Sequence, residues 1–138
     1  MRPRFVLDAW AILALLQGEE TAASRVKQLL EEASRGDIEL FLSIINLGEV
    51  IYRIGKERGE DEADETLGQL GRLPMTVLPA SEEAVFAAVR FKMHHSLSYA
   101  DAFAAAASEA LGASLVTGDP ELLQLEGRLT VEKLARHT

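Results

Sequence analysis

Hydrophobic positions along this chain fall into short continuous runs separated by longer stretches with helical spacing. Four runs predict strands, at residues 4–8, 38–42, 75–78 and 114–117, and a weaker run at 129–131 predicts an edge strand. Continuously apolar strands are typical of a parallel sheet whose two faces are both covered.

The stretches between these runs predict helices. In one of them Ala22, Val26, Leu29 and Ala33 form an apolar stripe at helical spacing. The predicted helices comprise residues 9–16, 21–34, 43–58, 81–95, 98–111 and 120–125, with a weaker helix that begins at 60. Strands that alternate with helices predict an α/β fold of three layers, in which helices flank a central parallel sheet of four to five strands.

Four acidic residues stand where these apolar segments begin, end or turn. They are Asp8, Glu49, Asp101 and Asp119. Burying an unpaired carboxylate costs free energy, so one shared site explains four such positions better than four accidents. Strand ends and neighbouring helix N-termini meet at one edge of a parallel sheet, where ligands bind. We therefore expect Asp8, Asp101 and Asp119 to converge, with Glu49 brought to them by helix packing.

Each acid also has a purely structural explanation. Asp8 and Asp119 can cap the helices that follow them, and Asp101 fits the third helical position of a capping box. Glu49 can pair with Arg53 one turn further along its helix. The explanation is strongest for Asp119, which precedes a proline, so this residue is the least secure of the four.

Clustered carboxylates repel one another and raise one another's pKa unless a divalent cation neutralises them. Donors that are all oxygen favour Mg²⁺ or Mn²⁺. The chain has no cysteine, which excludes thiolate catalysis and cysteine-ligated zinc. A carboxylate-held ion can activate water and stabilise charge during phosphoryl chemistry, and two ions roughly 4 Å apart can hold both the attacking and the leaving oxygen, so the sequence leaves the number of ions open. The four acids are thus predicted to be metal ligands and catalytic residues.

The four acidic segments resemble the motifs of PIN-domain ribonucleases. They are the strand that ends in Asp8 and the segments 46–50, 97–107 and 116–119. Their order and the small size of the chain most resemble VapC-type toxins of bacterial and archaeal toxin–antitoxin pairs. The resemblance extends over nearly the whole chain, and it rests on all four motifs in order and not on any one of them.

This resemblance implies a PIN-like fold and a metal-dependent endoribonuclease that acts as the toxin of a toxin–antitoxin pair. Members of the family are usually dimeric and are inhibited by a cognate antitoxin, so we expect an RNA substrate, an antitoxin partner and a homodimer. The expected domain is a single nuclease domain over residues 1–138. The longest apolar run, residues 9–16, is too short to span a membrane, and we expect a cytoplasmic protein.

The resemblance also assigns roles to single residues. In the family the fourth acid, which Asp119 matches, often holds the metal less directly than the other three. Thr117 matches a hydroxyl residue that is common just before this fourth acid. The family often has serine or threonine directly after the first acid, where this chain has Ala9, so a hydroxyl beside Asp8 is expected to be missing.

Helical spacing, and not the resemblance, singles out two cations. Arg53 and Lys56 share a helical face with Glu49 and are candidates to guide RNA phosphates toward the metal.

Three alternatives bear on these roles. A solvated helix face explains Arg53 and Lys56 slightly better than an RNA-guiding role does, and the net charge of −8 does not favour diffuse attraction to a nucleic-acid backbone. A catalytically weak or inactive PIN-fold interaction module is the alternative function, although such a module has no need of four acids. A phosphatase of the aspartyl-nucleophile type needs a second aspartate two residues after the first, where the chain has Trp10. Receiver domains need paired acids near the N-terminus, which the chain also lacks, so the sequence argues against both classes.

Overall fold

The computed structural model describes residues 1–135 and contains alternating strands and helices. The strands are β1 (Arg4–Leu7), β2 (Glu39–Ser43), β3 (Thr76–Leu78), β4 (Ser114–Thr117) and β5 (Val131–Lys133). The helices are α1 (Ala9–Gln17), α2 (Ala22–Ser34), α3 (Ile44–Arg58), α4 (Glu60–Leu70), α5 (Glu82–His94), α6 (Tyr99–Leu111) and α7 (Pro120–Leu123). The predicted alternation is therefore confirmed.

The strands form one parallel sheet in the order β3-β2-β1-β4-β5. The chain moves outward from β1 through β2 to β3, then crosses to the other side of β1 for β4 and β5. The direction of winding therefore reverses between β1 and β4. In open α/β sheets this reversal leaves a crevice beyond the carboxyl ends of the two strands, where ligands bind.

Helices cover both faces of the sheet, because successive side chains of each strand point to opposite sides. On β1, Leu7 belongs to the core beneath α1–α4, whereas Val6 belongs to the core beneath α5–α7. On β4, Val116 and Leu115 divide in the same way. All four side chains are fully buried. This packing explains the continuously apolar strands and confirms the predicted three layers.

The edge strand is the clearest error of the sequence prediction, which placed it at residues 129–131. Gly127 has a φ of 95° and lies in a tight turn, in which the backbone N–H of Leu129 donates to the carbonyl of Leu125. Leu129 is therefore still part of the turn. Pairing with β4 starts when the carbonyl of Thr130 accepts from Leu115, and β5 begins at Val131.

None of the helices within residues 1–135 is long and apolar enough to cross a lipid bilayer. This agrees with the short apolar run noted in the sequence.

Candidate metal centre

Asp8 follows β1 directly and is the N-cap of α1. One carboxylate oxygen accepts from the backbone N–H of Ala11 at 2.8 Å, and the other accepts from the hydroxyl of Thr117 at 2.5 Å. The side chain is only 1% exposed, and this burial raises the pKa of Asp8 to about 7 against the two hydrogen bonds, which act to lower it. The predicted cap is real, but capping does not explain why the carboxylate is buried.

Thr117 is the last residue of β4 and joins the first acid to the fourth. Its hydroxyl donates to Asp8 and accepts from the backbone N–H of Asp119 at 2.9 Å. Ala9 supplies no hydroxyl beside Asp8, as expected from the sequence, but the hydroxyl of Thr117 reaches Asp8 from the adjacent strand. Parallel pairing of β1 and β4 brings the two residues together, although they are 109 positions apart in sequence.

Asp119 caps α7, since its Oδ1 accepts from the backbone N–H of Glu121 at 2.9 Å. The structural explanation for this residue is therefore correct. It does not exclude a second role, because Asp119 also borders the hollow that Glu49 and Asp101 line. Its charge acts on all three other acids and contributes to raising the pKa of Asp8, Glu49 and Asp101.

Asp101 lies in the first turn of α6, where its backbone N–H donates to the hydroxyl of Ser98 at 3.1 Å. The predicted N-cap at Ser98 is confirmed. The residue is 6% exposed, and burial is the main reason that the pKa of Asp101 rises to about 8. The charge of Asp119 and a carboxyl–carboxyl interaction with Glu121 raise it further.

Glu49, on α3, lines the same hollow as Asp101 and Asp119. One of its carboxylate oxygens is buried and has no hydrogen-bond donor within residues 1–135. Burial raises the pKa of Glu49, and the positive charge of Arg53 partly offsets this. The two side chains do not form an ion pair within 4.0 Å in the described part of the chain, so the routine surface pair is not what holds Glu49.

Asn46, one turn before Glu49, fixes α3 against α6. This fully buried side chain donates from Nδ2 to the carbonyl of Ala100 at 3.1 Å. A carbonyl can only accept, so the orientation of the amide is determined. Because Ala100 precedes Asp101, this bond ties α3 to the part of α6 that carries the third acid. Sequence reasoning gave Asn46 no role of its own.

The structure brings three of the four predicted acids to one hollow, and the remaining acid, Asp8, lies buried without bordering it. Glu49, Asp101 and Asp119 line a hollow of about 120 Å³. Asp8 is buried and interacts electrostatically with both Asp101 and Asp119. Single carboxylate oxygens of Asp101, Asp119 and Glu121 lie within 4.8 Å of one another. Sequence reasoning missed Glu121, although an acid two residues after Asp119 in the first turn of α7 was a usable signal.

This group of donors suits a hard divalent cation. All of its side-chain donors are carboxylate oxygens, which Mg²⁺ and Mn²⁺ prefer. The raised pKa of Asp8 and of Asp101 means that the folded chain resists accumulating negative charge here. A cation would offset that repulsion and would also give the buried oxygen of Glu49 a partner.

The two predicted cations occupy different places. Arg53 lines the hollow with the acids. Lys56 lies one turn further along α3, is exposed, and does not border that hollow. The structure thus puts Arg53 within reach of a molecule bound at the acids, and Lys56 on the neighbouring surface.

Comparison with known proteins assigns the fold to a family. A sequence model of the PIN domain matches residues 5–127, which is most of the chain. The chain therefore belongs to the PIN domain family, as its sequence motifs predicted. No curated protein sequence is significantly similar to it.

Solved structures of similar fold come from toxin–antitoxin systems. VapBC2 from Rickettsia felis, bound to a promoter DNA fragment, aligns with a TM-score of 0.74 at 15% identity over 96% of this chain and 99% of that one. VapBC from Salmonella typhimurium, also bound to DNA, aligns with a TM-score of 0.73 at 16% identity over 96% and 99%. VapC20 from Mycobacterium tuberculosis, a sarcin–ricin-loop-cleaving toxin, aligns with a TM-score of 0.70 at 14% identity over 88% and 95%.

Proposed function

We propose that this chain is a metal-dependent endoribonuclease with one nuclease domain over residues 1–138. Asp8, Glu49, Asp101 and Asp119 are the proposed catalytic metal ligands, and the ion is Mg²⁺ or Mn²⁺. One observation carries the proposal: Glu49, Asp101 and Asp119 line one hollow at the crevice between β1 and β4, and the buried Asp8 interacts electrostatically with Asp101 and Asp119. Two of them have pKa values raised to about 7 and about 8, which marks a site built for an added positive charge.

The chain's own residues contribute position and charge. When bound, the ion supplies activation of a water molecule and neutralisation of charge on the phosphodiester. Asp8 is held between α1 and β4 by its two hydrogen bonds, so its carboxylate cannot turn away. Thr117 fixes the start of the loop that carries Asp119. Arg53, at the border of the hollow, draws the RNA phosphate toward the acids, and Lys56 extends this attraction along α3.

We further propose that the chain is the toxin of a toxin–antitoxin pair. The support is the family membership together with solved neighbours that are VapBC complexes or, in one case, a toxin that cleaves the sarcin–ricin loop. A cognate antitoxin would then be the protein partner, a homodimer the expected form of the toxin, RNA the substrate, and the cytoplasm the place of action.

Cleavage of RNA by the purified protein tests the proposal. Wild type should cut single-stranded and stem–loop RNA when Mg²⁺ or Mn²⁺ is present and should stop when the ion is chelated. Asp8→Asn should abolish cutting, whereas Asp64→Asn, at an exposed position on α4, should not affect it. Equal degradation by wild type and Asp8→Asn would show a contaminating nuclease and would refute the assignment. Absence of both cutting and metal-dependent stabilisation would favour the interaction module.

A further inference from the structure

Trp10, the sole tryptophan of the chain, stands two residues after the first acid and packs on the loop that carries the fourth. A Cβ added at Gly118 would lie 2.4 to 2.6 Å from three neighbouring atoms of its six-membered ring. Nearly equal distances to three ring atoms place that Cβ over the face of the indole, not at its edge. One face of the ring therefore lies flat against the backbone between Thr117 and Asp119.

Trp10 also packs against the core beneath α1–α4, but it is only partly buried, so part of the indole is accessible. It borders the hollow that contains the acids. It also borders a second hollow of about 290 Å³, which is lined by Gly118, Pro120, Lys133 and Leu134. Trp10 thus forms the ridge between the candidate metal centre and a neighbouring depression large enough for a planar ring system.

Positive charge stands on both sides of this ridge. Arg53 borders the first hollow and Lys133 borders the second. Lys133 ends β5, is aligned with Thr117 on β4, and is exposed. Neither cation forms an ion pair within 4.0 Å in the part of the chain that the structure describes. In a chain of net charge −8, these two cations give the two hollows beside Trp10 local positive charge.

We propose that Trp10 and Lys133 form a nucleotide subsite beside the metal centre, in which a nucleobase of single-stranded RNA stacks on the indole and Lys133 holds the adjoining phosphate. This inference rests on the proposed ribonuclease function. Proteins that bind single-stranded RNA commonly stack its unpaired bases on aromatic rings and track its backbone with cations. The strand passes from Arg53 over the acids and Trp10 to Lys133, so the phosphate to be cut lies next to a base that is held in place.

The subsite also explains why the ring lies on a glycine. Packing against Gly118 fixes the plane of the indole, so little side-chain freedom remains to be lost when a base stacks on it. A hydrophobic wall residue without a π face, such as Leu13 in the same hollow, cannot serve in this way.

Fluorescence gives a direct test, since all tryptophan emission of the protein comes from Trp10. Asp8→Asn protein in Mg²⁺ keeps RNA intact, and a short end-labelled single-stranded RNA is titrated while its anisotropy and the Trp10 emission are both recorded. The emission should be quenched with the same midpoint as the anisotropy change. An oligonucleotide of equal length with abasic riboses should bind more weakly and without quenching.

Variants separate stacking from a structural role. Trp10→Leu should weaken RNA binding roughly tenfold, the loss expected for one stacked base, while Trp10→Phe retains part of the affinity. Both should keep the Mg²⁺-dependent stabilisation of the wild type. Lys133→Gln should weaken binding and reduce its salt dependence, whereas Lys27→Gln, an exposed lysine on α2, should change neither.

Three results would overturn the subsite. The first is RNA binding with unchanged Trp10 emission, and the second is wild-type RNA affinity in Trp10→Leu. The third is a loss of Mg²⁺-dependent stabilisation in Trp10→Leu as large as its loss of RNA affinity, which would make Trp10 a positioning residue for Asp119. In each case cleavage by wild type would still stand. If wild type neither binds nor cuts RNA, the proposed function fails and the subsite fails with it.

Discussion

Replacing Asp8 by asparagine should stabilise the metal-free protein, although it removes the proposed catalytic function. Burial raises the pKa of Asp8 from 3.8 to about 7. At pH 8 the folded chain therefore contains a buried carboxylate whose affinity for a proton is far higher than that of the same carboxylate in the unfolded chain. A rise of that size corresponds to about 4 kcal/mol of lost stability, since each unit of pKa is worth about 1.4 kcal/mol. Asparagine carries no charge and avoids this loss.

The two hydrogen bonds of Asp8 reduce the gain. The amide oxygen of asparagine can still accept from Ala11, but its NH₂ group must face Thr117, whose hydroxyl now has to accept instead of donate. That hydroxyl already accepts from Asp119 and has a second lone pair available. The exchange of one bond costs about 1 kcal/mol. The expected net gain for Asp8→Asn at pH 8 is therefore about 3 kcal/mol.

Urea denaturation at pH 8 with a chelator measures this gain. Near pH 4 the benefit should vanish or reverse, because Asp8 is then protonated in the folded state and half-protonated in the unfolded state. Added Mn²⁺ should stabilise wild type and have much less effect on Asp8→Asn. Asp64→Asn should change stability by less than about 0.5 kcal/mol. A loss of stability in Asp8→Asn at pH 8 would contradict the raised pKa of Asp8. An undiminished response to Mn²⁺ would contradict its proposed role as a metal ligand.

Three further predictions concern the same centre. In the metal-free wild type, the free energy of unfolding should fall as pH rises from about 4 to about 8 and then level off. The reason is that Asp8 and Asp101 keep their protons in the folded state at pH values where the unfolded chain has released them. Urea titrations across this pH range measure the change. Thr117→Val should lose the hydroxyl that links Asp8 to Asp119, which lowers stability by about 1–3 kcal/mol and slows cleavage in single-turnover assays. Gly118→Ala should destabilise by about 1–3 kcal/mol, since its Cβ would collide with the Trp10 ring, and thermal unfolding measures this directly.

For each of these predictions there is an outcome that would contradict it. Stability of the metal-free protein that rises through pH 8 would mean that the two aspartates do not carry raised pKa values. Thr117→Ser should retain both hydrogen bonds, and a defect as large as that of the valine variant would point to lost packing instead. Gly68→Ala, on the exposed face of α4 with nothing within 4 Å of the new Cβ, should be neutral or stabilising. Equal loss in both glycine variants would show that the Trp10 contact is not the cause.

Much of the fold follows from sequence because strand and helix patterns here agree with packing. The inner residues of β1 and β4 are continuously apolar because both faces of these strands are covered, and Ser81 and Ser98 cap helices at the positions predicted. The convergence of Asp8 and Asp119 was also predictable, because each follows a parallel strand whose carboxyl end faces the same edge. Both residues cap a helix and also lie at the candidate metal centre, so neither explanation excluded the other.

Features that depend on contacts between distant segments could not be predicted in this way. The turn around Gly127 delays β5, although Leu129 and Val131 both look like strand residues. The amide of Asn46 meets a backbone carbonyl on α6, and no spacing in the sequence encodes that contact. The indole of Trp10 lies on Gly118 across 108 positions, which only the folded chain reveals.

Anomalous diffraction from crystals grown with Mn²⁺ shows directly whether the four carboxylates hold divalent metal at the crevice between β1 and β4. We expect an anomalous peak bounded by the carboxylates of Asp8, Glu49, Asp101 and Asp119, and no such peak in Asp8→Asn crystals grown in the same way. No peak at this position in wild type, or a peak held by Asp119 and Glu121 without Asp8 and Glu49, would contradict the proposed metal site.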